Sequence, residues 1–164
     1  MTTKVPSEFL STGAVVQAVS TAKTNTWSSS THNTYVDITG FNVSITPTST
    51  SNKVLITVHI SLSPFSLASY RLVRGSTVIG LWDSLGGNRV QATIGPTSFT
   101  RDGNRVNSAS IMFLDTPSTT SAITYKLQAY IYNGTQYINR TYSNTNASYT
   151  SSSISTITAM EIVG

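Results

Sequence analysis

The chain is predicted to be all-β, an antiparallel β-sandwich of jelly-roll type with about ten strands, on three observations. Apolar residues recur at every second position in short runs. The gaps between the runs hold turn-forming residues. No segment carries a helical apolar period or an alternation of strands with helices. The 164 residues suffice for one domain around a single core.

The elements follow in order. Residues 1–13 carry Lys4-Val5-Pro6-Ser7-Glu8-Phe9-Leu10, apolar residues without a period. They read either as a frayed end or as an N-terminal docking arm in which Phe9 and Leu10 insert into a neighbour. The sandwich domain is assigned to residues 14–164. Strands are expected at Ala14 to Ala22, Tyr35 to Ile38, Phe41 to Ile45 and around Ile56, Val58, Ile60 and Leu62, whose alternation with Thr57, His59 and Ser61 buries one face. Further runs lie at Tyr70 to Val73, Thr77 to Leu81, Val90 to Ile94, Ser108 to Leu114, Ile123 to Tyr132, Tyr137 to Thr141 and Ile154 to Ile162. The breaks at Thr39-Gly40, Arg74-Gly75-Ser76, Gly86-Gly87-Asn88, Asp102-Gly103-Asn104 and Asn133-Gly134 supply the positive φ angles of turns.

Composition narrows the function classes. Ser and Thr make up roughly a third of the chain, and only 10% of residues are charged, against about 25% in an average domain. Solubility therefore rests on hydroxyls and amides. The net charge of +4 is spread along the chain with no basic block, so neither nucleic acid nor a membrane surface is an expected partner. The absence of cysteine excludes disulfides, thiolate zinc sites and thiol nucleophiles.

No residues stand at metal-ligand spacing, and neither a phosphate loop nor a nucleophile elbow is present, so no cofactor, metal or catalytic residue is assigned. Asp83 and Asp102 could in principle form a glycosidase pair, but Asp102 before Gly103 reads as a turn cap, and the chain is read as no enzyme. The candidates for contact are loop aromatics and their amide neighbours. Tyr132, Tyr137, Asn139, Tyr142 and Tyr149 suit sugar or protein recognition, with strand packing as the plain alternative. Phe99, Arg101 and Arg105 form a second possible contact tip. The last strand is apolar on both faces, so Ile157 and Glu161 are assigned to assembly. Glu161 either pairs with a buried cation or lies on a strand covered by another subunit, and the second is the expectation.

A resemblance adds to this reading. Pro6-Ser-Glu-Phe9, Gly13-Ala-Val-Val-Gln-Ala-Val19, Asp37-Ile-Thr-Gly40, Ser44-Ile-Thr-Pro47, Leu72-Val-Arg-Gly-Ser-Thr77, Phe113-Leu-Asp-Thr-Pro117, Thr124-Tyr-Lys-Leu-Gln128 and Ile157-Thr-Ala-Met-Glu-Ile162 resemble bacteriophage virion surface domains, common in marine and cyanobacterial phages and described as tail-fibre-like. The arrangement also resembles the trimeric jelly rolls of the C1q and tumour-necrosis-factor type, which implies a homotrimer with strands of one sheet along a threefold axis. The resemblance implies a non-enzymatic protein of the virion surface. Its partners would be other copies of itself, other virion proteins of tail or capsid, and a host cell-surface glycan. The role it implies is a host-contacting tail knob or, alternatively, a decoration protein on the capsid.

Overall fold

A computed structural model describes residues 10–63, 66–83, 86–96 and 102–164. Among these, ten strands form two sheets and no helix occurs. The strands are β1 (Val15–Lys23), β2 (Trp27–Ser29), β3 (Tyr35–Ile45), β4 (Lys53–Leu62), β5 (Leu67–Arg74), β6 (Thr77–Ile79), β7 (Asn107–Asp115), β8 (Ile123–Asn133), β9 (Gln136–Ile138) and β10 (Ser155–Ile162). The larger sheet runs β1-β10-β4-β9-β2, with β7 along the opposite edge of β4; the smaller runs β3-β8-β5-β6. With the three-residue β2 and β9 set aside, the first sheet orders the remaining strands first-eighth-third-sixth and the second orders them second-seventh-fourth-fifth. All these pairs are antiparallel, and this is the winding of a jelly roll.

Alternation decides which side chains fill the space between the sheets. From β4, Val54, Ile56, Val58, Ile60 and Leu62 point inward, and from the facing sheet come Phe41, Val43, Tyr70, Leu72, Tyr125, Leu127 and Ala129. Burial of each large side chain contributes about 1.5–3 kcal/mol, so this two-sided apolar layer is the main source of stability.

Three strand assignments need correction. Tyr35 to Ile38 and Phe41 to Ile45 are one strand, because Thr39-Gly40 is a bulge rather than a turn. The pairing with β8 shifts between Asp37 and Asn42, and Gly40 has φ +72°. The odd spacing from Ile38 to Phe41 would send one of them outward in a regular strand; the bulge returns both to the core, each at most 2% exposed. Val90 to Ile94 forms no strand of its own. It lies along the edge of β5, with Ile94 bridged to Tyr70 and the Thr93 hydroxyl accepting the Leu72 amide. Trp27–Ser29, unrecognised in the sequence, pairs with β9.

Among the described residues two carboxylates are buried. Glu161 lies on the inner face of β10, fully buried, and none of its partners is a cation. Its carboxylate accepts from Gln17 Nε2 (2.6 Å), the Thr48 amide (2.6 Å) and hydroxyl (2.8 Å), and Asn52 Nδ2 (2.7 Å). Burial pushes its pKa up, but the hydrogen bonds from Asn52, Gln17 and Thr48 outweigh this and hold it below the ordinary glutamate value. Asp115, at the inner end of β7, takes both bonds of Arg74 (3.0 and 2.9 Å) and the Tyr125 hydroxyl (2.7 Å).

The arm assignment meets the structure only at its end. Ser11 to Ala14 turn back so that Gly13 and Val163 close the start of β1 against the end of β10, and Leu10 is half-buried. Phe9 and the rest of residues 1–9 lie outside the described residues.

Candidate functional site

Three surfaces of the sandwich differ from an ordinary solvated face. The first is the outer face of the larger sheet, where register places Ala18, Met160, Leu55 and Leu114 side by side across four strands. The next row is Ser20, Thr158, Thr57 and Met112, and the next Ala22, Thr156, His59 and Ser110. Met112 is 77% exposed and Leu114 48%. Among the described outward positions of these four strands the only ionisable side chains are Lys53 and His59. An open sheet face normally alternates apolar-in with charged or polar-out; this one is apolar or hydroxyl-bearing on its outer side too.

This corrects the assembly residues. Ile157 and Glu161 are fully buried inside the protomer and offer nothing to a neighbour. Their outward neighbours Thr158, Met160 and Ile162, each half-buried, form the outer side of the same strand. The unusual two-faced apolarity of β10 was legible; which parity faced the protomer's own core was not, because both sets are largely apolar.

The second surface is at one end of the sandwich. Tyr137 on β9 packs edge-on against Tyr142 with centroids 5.6 Å apart, and the Arg140 guanidinium lies 3.8 Å over the Tyr137 ring. The Ser143 amide donates to Gly103 O (2.9 Å), so the loop carrying Asp102 and Arg105 is tied to this cluster. The two contact regions read separately from the sequence thus meet in space. Tyr142 is 38% and Tyr149 69% exposed, and Arg105 pairs with Asp102 at 2.7 Å. Asp102 also accepts the Asn104 amide; this bond, and then the one from Arg105, hold its carboxyl below the ordinary range, as a turn cap requires. Phe99 and Arg101 lie outside the described residues. Asn139 is not a contact residue. It is 1% exposed with φ +64°, and its amide donates to Lys23 O and Asn25 O while its carbonyl oxygen accepts from the Ser155 hydroxyl.

The third surface is the outer face of the smaller sheet, and it claims Tyr132. Tyr35 on β3 is the direct cross-strand partner of Tyr130 on β8, with ring centroids 5.3 Å apart, and Tyr132 packs on Tyr130 at 5.0 Å. Arg71 of β5 lies 3.7 Å over the Tyr35 ring and donates to Gln128, which with Lys126 holds Asp37. Burial, with Arg71 opposing it, raises the Tyr35 pKa to about 12. The Tyr35 hydroxyl donates to Gln91 O, and Gln91 Nε2 donates to Trp82 O (3.2 Å). Beside them lies a cleft of about 160 Å³ lined by Trp82, Asp83, Arg89, Val90, Gln91 and Ala92, with the Trp82 side chain largely in solvent. Sequence reading missed Tyr35, Tyr130 and Trp82 as a group because they lie on separate runs that only the β3–β8 pairing and the Gln91 bonds bring together. Among the described residues no three His, Cys, Asp or Glu side chains gather into a metal cluster.

No protein-family profile matches this chain, and neither does any curated protein. Solved structures of similar shape include the infectious bursal virus derived T=1 particle, at 10% identity and a TM-score of 0.46, and the VP2 subviral particle of infectious bursal disease virus, at 14% and 0.40. Each likeness covers 90% of this chain but only 36% and 38%, respectively, of the other, so this chain spans little more than a third of their length.

Proposed function

We propose that this protein is a non-enzymatic structural component of a virion surface, a tail-fibre-like knob that assembles as a homotrimer and presents its remaining loops and faces to a host surface. The observation that carries the reading is the outer face of β1-β10-β4-β7, with Met112, Leu114, Leu55 and Met160 in adjoining rows and almost no charge. Further copies of the same chain supply the covering surface: around a threefold axis each protomer presents one part of this face to the neighbour ahead and another to the neighbour behind, and the ring closes. The sequence resemblance to phage virion surface domains supports the setting, and the jelly-roll winding agrees with it. The cluster of Tyr137, Arg140 and Tyr142 with the Arg105 loop then stands at an end of the assembly, where it can meet host or tail.

Light scattering tests the assembly. The expected mass is three times the 17.6 kDa protomer, and replacement of Met112 and Leu114 by Lys is expected to return it to one protomer with unchanged circular dichroism. A wild-type monomer at micromolar concentration would overturn it. Immunogold labelling of intact virions tests the location: gold at the tail supports the knob, whereas gold over the head replaces it with the alternative, a capsid decoration protein bound to the major capsid protein.

A further inference from the structure

A second feature of the third surface is the cleft beside Trp82, on the side of the sandwich away from the β1-β10-β4-β7 face. Trp82 is 72% exposed beside the cleft, although a large aromatic in solvent gains nothing for the fold. Around it stand a carboxylate (Asp83), a guanidinium (Arg89) and an amide (Gln91), all on exposed residues, while Val90 and Ala92 line the cleft as half-buried apolar groups. The cleft is anchored to the rigid sheet by two bonds, Tyr35 to Gln91 and Gln91 to Trp82. Beyond Tyr35 the aromatic row continues through Tyr130 to Tyr132.

We infer that this surface is an oligosaccharide-binding site, with one hexopyranose ring held at Trp82 and further units of the chain running over Tyr35, Tyr130 and Tyr132. The inference rests on the host-contact reading and names its ligand class. A pyranose has an apolar face of C–H groups and an edge of hydroxyls that both donate and accept. The indole offers the flat apolar partner, Asp83 accepts, and Arg89 and the amides donate. The cleft volume is below the roughly 300–1,000 Å³ of pockets for drug-sized ligands, which fits one ring of a chain rather than an enclosed small molecule. The rings of Tyr35, Tyr130 and Tyr132 meet at 60° and 66°, with Arg71 over Tyr35, so they extend the cleft as a ridged aromatic surface with a guanidinium donor, along which further units of a chain can lie.

The test uses the assembled wild-type protein and a panel of neutral tetrasaccharides built from glucose, galactose, mannose, rhamnose and N-acetylglucosamine, titrated by calorimetry. Saturable binding of at least one member is expected, weakened at least about tenfold by Trp82→Ala. Asp83→Asn, which keeps both tryptophans, should weaken the same sugar and reduce the accompanying tryptophan fluorescence change. Silence across the panel, or binding that survives Trp82→Ala unchanged, overturns the inference. Light scattering on the same samples separates the two readings: a trimer that binds no sugar removes the glycan site and leaves the knob, whereas a monomer removes the assembly.

Discussion

Glu161 shows how a single residue can look like an interface group and be a core one. A carboxylate in an apolar strand invites a cation or a partner, yet four neutral donors satisfy it within the protomer. Glu161→Gln keeps one acceptor oxygen but turns the other into a donor that faces donors. The expected loss is about 1–3 kcal/mol in urea unfolding, with no change in oligomeric mass. Because the folded pKa lies below the unfolded one, the stability from Glu161 is present above the ordinary glutamate value of 4.5 and lost as pH falls through the lowered folded value. Wild type should therefore lose stability in acid more steeply than Glu161→Gln. Tyr35 runs the other way. Its pKa is raised from 10.0 to about 12, so its contribution is complete below pH 10 and is lost as pH climbs through about 12. A Tyr35→Phe variant should flatten the alkaline arm of the stability profile, measured by thermal melts between those limits.

At the scale of elements, the bulge in β3 governs the parity of a whole strand. Deleting Gly40 would leave Ile38 and Phe41 two positions apart, so that a regular strand would send both to the core without the bulge. The expected outcome is a cooperative unfolding transition that is retained. Gly40→Ala tests the backbone alone: a Cβ there meets only Lys23 Nζ at 3.7 Å, but the φ of +72° strains any L side chain, so a cost of about 1 kcal/mol is expected. Loss of that transition in the deletion would mean that the bulge itself, and not parity alone, holds the strand against β8. The hairpin between β5 and β6 was legible in Arg74-Gly75-Ser76, since Arg74 pairs with Thr77 across two residues with Gly75 at φ +58°. The bulge was not, because Thr39-Gly40 carries the same composition as a turn, and only the continued pairing with β8 distinguishes the two.

For the whole molecule, the two outer faces differ in chemistry. The larger sheet turns rows of Ala, Leu, Met and Thr outward and suits self-association, while the smaller sheet turns outward tyrosines, Arg71, Gln128 and the Asp37–Lys126 pair. Charge contributes little to the first face, so the assembly is expected to resist salt, with the mass by light scattering unchanged between low salt and about 1 M, where the screening length falls to about 3 Å. Its melting temperature should rise with protein concentration, as a folded protomer stabilised by its partners requires. A mass that falls with added salt would point to ionic contacts instead.

The sequence by itself determined the all-β class, most of the strands and the paired turn chemistry, because period-2 alternation and the φ demands of Gly, Asn and Asp are local properties. It also marked β10 as apolar on both faces and Tyr137 and Tyr142 as neighbours in the chain. Only the tertiary structure decided which face of β10 is the core, that Asn139 is a buried structural amide, and that the Arg105 loop joins the Tyr137 cluster. It alone assembled Tyr35, Tyr130, Tyr132 and Trp82 into one surface. Those decisions depend on pairing between strands far apart in the chain, and alternation fixes which residues share a face without fixing which strand lies beside it.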